Sequence, residues 1–159
     1  MKVREIMTPN PCCCSPTDSL RTVARTMRDH DCGAVPVIEH GYVIGIVTDR
    51  DLAIRALADG NDADTKVVDV LTRNPRCCGL DDDLRDVERI MADHQVRRVP
   101  VVDADGSCVG IVAQADLARA AVNGERVSER EVALVVERIS APPRQAFNRG
   151  AEGTLEQAF

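Results

Sequence analysis

Apolar positions along the chain follow two periods, and the alternation between them marks out its elements. Leu20, Val23, Ala24 and Met27 fall at i, i+3, i+4 and i+7, which is one face of an amphipathic helix. Thr17, Asp18 and Ser19 stand in front with capping oxygens, and the helix is predicted to end near His30, before Gly33. Ala34 to Ile38 and Tyr42 to Val47 are short β-branched runs separated by Glu39-His40-Gly41, the form of a hairpin. Asp49 to Asp59 returns to helix, with Leu52, Ile54, Ala56 and Leu57 supplying bulk and Gly60 closing it. Cys12 to Cys14 lies between Pro11 and Pro16 and reads as extended, because residues before proline avoid the α region. One unit is therefore strand, helix, strand, strand, helix.

The pattern then recurs. Val3 to Pro11 returns as Val67 to Pro75, an offset of 64 (67 − 3). Leu20, Val23, Met27 and His30 recur as Leu84, Val87, Met91 and His94, and Val35-Pro36-Val37 as Val99-Pro100-Val101. One extra turn residue shifts the offset to 65, so that Gly45 to Leu52 becomes Gly110 to Leu117. The second unit is predicted as Cys77-Cys78 extended, Asp83 to Asp93 helical, Val99 to Val102 and Val109 to Val112 strands, and Gln114 to Asn123 helical, after a polar connector from Asn61 to Lys66. Each unit is too small to bury a good core alone. The expectation is an α+β fold of two β-α-β-β-α repeats, 1–64 and 65–125, packed about a pseudo-twofold axis with two related clefts between them. Residues 126–159 complete the chain. Ser128-x-x-Glu131 has the form of a capping box, and Val132, Val135, Val136 and Ile139 line one helical face that must be covered by the body or by a partner chain. From Ala141 onward, Pro142-Pro143, Gly150 and Gly153 read as a flexible tail.

Composition narrows the function classes. The net charge is −6, aromatic residues make 2% of the chain and Trp is absent, so neither a basic footprint nor stacking aromatics serve nucleic acid. No apolar run reaches the ~18 residues needed to span a bilayer, and Met1-Lys-Val-Arg-Glu5 does not read as a signal peptide. A cytosolic place is expected, with its seven cysteines mostly reduced.

Thr48-Asp49-Arg50-Asp51 sits where a strand runs out and a helix begins. Such a junction presents backbone N–H groups and the positive end of a helix dipole to an anion such as phosphate. A neighbouring carboxylate accepts hydrogen bonds from the hydroxyls of a ribose. Val35-Pro36 and the strand residues would sandwich a flat base. Thr-x-x-Asp is equally a capping box that needs no ligand. In the second unit Thr48 becomes Ala113, so a reciprocal box is impossible there, yet Asp116 remains and hints at another duty. Arg97 and Arg98 precede the second Val-Pro, where one of them would reach a phosphate as a bidentate donor unless the two form a solvated surface pair; Arg50 and Arg55 carry the same ambiguity.

The repeat, with Val-Pro-Val followed in its first copy by Gly-Ile-Val-Thr-Asp-Arg-Asp and in its second by Gly-Ile-Val-Ala-Gln-Ala-Asp, resembles the CBS motif, and Val3 to Gly124 resembles stand-alone bacterial two-CBS proteins of the hypoxia-response type. Val47 to Ile54 and His94 to Val101 carry that likeness. The resemblance implies a Bateman module, usually a disc-shaped homodimer, whose clefts bind adenine nucleotides in many members. It implies that Asp51 holds a ribose, Thr48 the ribose or a phosphate, and Val35-Pro36 the base. Asp116 with Val99-Pro100 would mark the second cleft.

Cys13 corresponds to Cys77 and Cys14 to Cys78, so a pseudo-twofold axis would gather them; the readings are a thiolate metal site or redox switch, or small residues filling a crowded strand. No Cys-x-x-Cys with partner spacing supports a zinc site. His30 and His94, at matching helix ends, suit a cation at the dipole, with metal or ligand contact as the other reading. No catalytic motif is present. The leading expectation is a non-enzymatic regulatory module binding AMP, ADP, ATP or S-adenosylmethionine and signalling to a protein target, with no cofactor required. A thiol-based redox or metal sensor and a ligand-free interaction adaptor are the alternatives.

Overall fold

A computed structural model describes residues 1–122 and 128–142. Its two repeats do not each keep their own leading segment. Val3–Glu5 forms a 3-10 turn and β1 (Thr8–Pro9) pairs antiparallel with a strand of the second repeat; Val67–Asp69 and β4 (Thr72–Arg73) do the same for the first. The first repeat contributes α1 (Leu20–Asp29), β2 (Ala34–Glu39), β3 (Tyr42–Thr48) and α2 (Asp49–Asp51). The second contributes β5 (Cys78–Gly79), α3 (Leu84–His94), β6 (Arg98–Val102), β7 (Cys108–Ala113) and α4 (Gln114–Val122), and α5 (Glu129–Ser140) follows. The sheets run β2-β3-β4 and β5-β6-β7-β1, so each contains a strand from the opposite repeat.

The exchange explains why the opening nonapeptide occurs twice. Val3 is fully buried in the second repeat's core, while Val67, Val70 and Leu71 complete the first. Backbone bonds fasten the exchange: the Val3 amide donates to the Asp82 carbonyl at 3.1 Å, and the Val67 amide to the Asp18 carbonyl at 2.9 Å. Asn10 and Asn74, at matching places, take the left-handed conformation (φ 50° and 49°) as each segment leaves its borrowed sheet. Gly45 and Gly110 make room for it, since a Cβ on Gly45 would stand 2.6 Å from Leu71 and one on Gly110 2.4 Å from Met7.

Most predicted elements stand where periodicity put them. Ser19 caps α1, accepting from the Thr22 amide at 3.2 Å, and the turn between β2 and β3 is His40-Gly41 with both φ positive, the geometry that matches strand twist. The extra residue of the second repeat lies in the loop from Asp103 to Ser107, which Asp103 stabilises by accepting from the Asp105 and Ser107 amides. Two expectations are corrected. The helix from Asp49 to Asp59 is α-helical only to Asp51 and widens into π-type turns over Leu52–Leu57, a change in hydrogen-bond ring size that apolar spacing does not report. Of Cys12 to Cys14 only Cys14 pairs, with Val37, and the matching strand is Cys78–Gly79, leaving Cys77 outside it. α1 ends where expected, with His30 as its C-cap, and Asp31 takes the left-handed conformation (φ 49°) just beyond it.

Ser128 and Glu131 cap α5 reciprocally at 3.1 and 3.0 Å, and Val132, Val135 and Ile139 are buried in the second repeat's core, with α5 packed on α3 and α4. The Gln95 side-chain amide donates to the Ala141 carbonyl at 2.7 Å and to Arg138 at 3.3 Å, closing the far end. The face is thus covered by the body. The tail from Pro143 onward lies outside the described residues.

Candidate ligand site where the repeats meet

The β3–α2 junction turns on one carboxylate. Asp51 is nearly buried (9% exposed), and its Oδ2 accepts from the Thr48 amide at 2.9 Å and the Thr48 hydroxyl at 2.8 Å. The Asp51 amide donates back to Thr48 Oγ1 at 3.2 Å, completing the capping box. Its Oδ1 faces Arg55 Nε at 3.3 Å. Arg55 in turn donates to the Val70 and Leu71 carbonyls at 3.2 and 3.4 Å, tying this junction to the segment lent by the second repeat.

The β7–α4 junction keeps half of that arrangement. Asp116, 5% exposed, accepts from the Ala113 amide at 2.6 Å and pairs with Arg119. The carboxylate therefore caps the helix start without any hydroxyl partner, which gives Asp116 a structural task where the sequence suggested a spare one.

Val35 and Val99 are wholly buried in the cores of their own repeats, and alternation turns Pro36 and Pro100, also buried, to the other face of each sheet. Of the four, the prolines stand on the side away from the helix-packed core. Arg98, half-buried on β6, crosses to the first repeat. Its Nη2 and the Asp49 carboxylate both approach the point where a side chain on Gly33 would stand, at 3.1 and 2.8 Å from that Cβ position. Among the described residues Arg98 forms no ion pair. Thus Gly33, Thr48, Asp49, Asp51 and Arg98 gather from both repeats, while Arg97 and Arg50 are exposed. Arg55, Arg119 and Gly33 were not foreseen in these roles, although acid–base spacings of four and three residues (Asp51 to Arg55, Asp116 to Arg119) are visible in the chain.

The thiols split by depth. Cys14 and Cys78 are buried, and burial pushes each thiol up to about 12. Cys13 is exposed, and Cys12, Cys32, Cys77 and Cys108 are half-buried. Among the described residues no three His, Cys, Asp or Glu side chains gather so as to hold a metal ion, and no helix is long and apolar enough to cross a membrane.

The model of the CBS domain matches twice, over residues 3–57 and 67–123. CBS domain-containing protein YhcV of Bacillus subtilis is 40% identical over 116 residues, 73% of this chain and 82% of its own length. Hypoxic response protein 1 of Mycobacterium tuberculosis is 36% identical over 118 residues, 73% of this chain and 82% of its own. The crystal structure of Hypoxic Response Protein I with two coordinated zinc ions superposes with a TM-score of 0.69 at 34% identity, covering 75% of this chain and 98% of that one. The CBS domain pair of protein MJ0100, in complex with 5′-methylthioadenosine and S-adenosyl-L-methionine, gives 0.72 at 27% identity over 79% and 98%. CBSX2 in complex with AMP gives 0.67 at 28% identity over the same shares.

Proposed function

This chain belongs to the CBS domain family as a tandem pair, and from that premise we propose that it is a non-enzymatic cytosolic regulator that binds an adenosine-containing ligand where its repeats meet. The ligand class is AMP, ADP, ATP or S-adenosylmethionine, as structural relatives hold AMP or S-adenosylmethionine. The observation that carries the reading is the convergence on Gly33 of Arg98 from one repeat and the Thr48–Asp51 junction from the other. Asp51 would accept the ribose hydroxyls through Oδ1 as Arg55 shifts aside, Pro36 would lie against the base, and Arg98 would turn from Asp49 to the phosphate. Asp116 and Pro100 would form the lesser cleft, since Ala113 offers no hydroxyl. A ligand held by both repeats binds best in one mutual arrangement of them, and the difference in affinity between arrangements becomes the signal to a protein target.

A homodimer completes the reading. On the second repeat the helical face is covered by α5, whereas on the first a groove of about 490 Å³ between α1 and the turns of Leu52–Leu57 lies open, with Leu57 75% exposed at its rim. A second copy would cover it.

The test is a thermal melt of reduced, ligand-free protein against the four ligands and 5′-methylthioadenosine. At ~100 times Kd the folded state gains about 2.7 kcal/mol, a shift a melt resolves easily. Arg98→Ala, which breaks no ion pair, is expected to weaken AMP at least ~10-fold while leaving 5′-methylthioadenosine unchanged, because only the former carries a phosphate. Flat melts across the set would leave the adaptor reading in its place.

A further inference from the structure

Gly33, just before β2, does not take a left-handed conformation, so its lack of a side chain is a matter of space. A Cβ there would stand 2.8 Å from Asp49 Oδ2 and 3.1 Å from Arg98 Nη2, which makes a carboxylate of the first repeat and a guanidinium of the second neighbours across one point. Among the described residues neither forms an ion pair, with the other or with any third group. Asp49 Oδ1 accepts from the Arg50 amide at 2.8 Å, so Oδ2 is the oxygen turned toward Gly33. The other cleft lacks this pair. The Asp49 amide donates to the Gly33 carbonyl at 3.2 Å and the Gln114 amide to the Arg97 carbonyl at 2.9 Å, so Gln114 stands in place of Asp49 and Arg97 in place of Gly33. Ala34 pairs with Thr48 as Arg98 pairs with Ala113, so Ala34 stands in place of Arg98. A neutral amide and a methyl group there replace the acid and the base.

We propose that Asp49 and Arg98 select the ligand of the first cleft by charge: it takes an adenosine derivative whose 5′ substituent ends in an ammonium and a carboxylate on one carbon, in preference to a phosphate chain. This inference rests on the adenosine reading above and narrows it. An amino-acid end holds its cation and its anion close together, which suits an acid and a base that are neighbours without being in contact. The ammonium donates to Asp49, and the carboxylate accepts from the fork of Arg98. A phosphate engages Arg98 alone and brings its own charge against Asp49, and each further phosphate adds to that repulsion. Arg98 is half-buried, so solvent screens its part of the exchange less than it would on an open surface. The second cleft has no such pair, and one chain therefore takes one zwitterionic end.

The probes are S-adenosylhomocysteine and 5′-methylthioadenosine, which share adenosine and a neutral thioether sulfur and differ in the amino-acid end. Calorimetric titration of the full-length reduced protein is expected to find S-adenosylhomocysteine tighter by at least ~10-fold, with one tight site per chain. In Asp49→Asn and Arg98→Ala, each first shown by a ligand-free melt to be folded, the ratio of the two affinities is expected to fall toward one. Gly33→Ala meets only the movable ends of two side chains, and is expected to lower the same ratio with Tm kept. AMP separates charge from shape, because Asp49→Asn is expected to tighten it roughly 5-fold while weakening S-adenosylhomocysteine. Equal affinities of the two probes in the parent, a ratio unmoved by Asp49→Asn, or AMP weakened by it overturns the charge selection and leaves the adenosine cleft standing. No binding of S-adenosylhomocysteine, 5′-methylthioadenosine or AMP overturns both.

Discussion

Asp51 and Asp116 hold the same place in two copies of one motif, and their neighbours separate them. Thr48 gives Asp51 a hydroxyl to accept from, while Asp116 makes do with a single backbone amide and Arg119. The capping box was legible because its atoms lie three residues apart. The reach of Arg55 to the Val70 and Leu71 carbonyls was not, since nothing local encodes a contact across 15 residues of chain. Burial acts on the buried thiols with a sign that can be worked out. The folded state holds the Cys14 and Cys78 protons up to about 12 against an ordinary 9.0, so their contribution is complete below 9.0 and is lost as pH rises from there toward 12. Melts between pH ~8 and ~11 are expected to fall along that rise, and to fall less steeply in Cys14→Ala/Cys78→Ala. Parallel slopes for the two proteins would show that other groups carry the loss.

At the scale of elements, helices and hairpins were readable and the lent segments were not. Period and capping residues mark α1, α3 and α5 because a helix satisfies its backbone internally and needs only one apolar stripe. Two-residue strands such as β1 and β4 have no period to show. Their trace in the sequence is indirect: a repeated opening nonapeptide, an Asn at each exit, and a Gly in each receiving strand. Gly45→Val is expected to displace Leu71 and cost about 1–3 kcal/mol, read as a lower midpoint in denaturant with the reduced fold retained. An unchanged midpoint would mean that the lent segment does not pack as described.

Over the whole molecule, the two sheets exchange strands in the same way but the outer helical faces differ, because among the described residues α5 covers the face of the second repeat and nothing covers the groove of the first. Light scattering is expected to find a dimer that Leu57→Glu returns to monomer, since a carboxylate in an apolar interface loses its hydration without gaining a partner. A variant as dimeric as the parent would move the interface elsewhere. The sequence by itself determined the tandem repeat, the order of its long elements and the capping of its helices, because each is written in local spacing or in direct repetition. Only the tertiary structure decided which sheet each opening segment joins, that Arg98 meets Gly33, and that α5 closes one face. Those are meetings of residues far apart in the chain, set by strand exchange and core filling, and no periodicity records them.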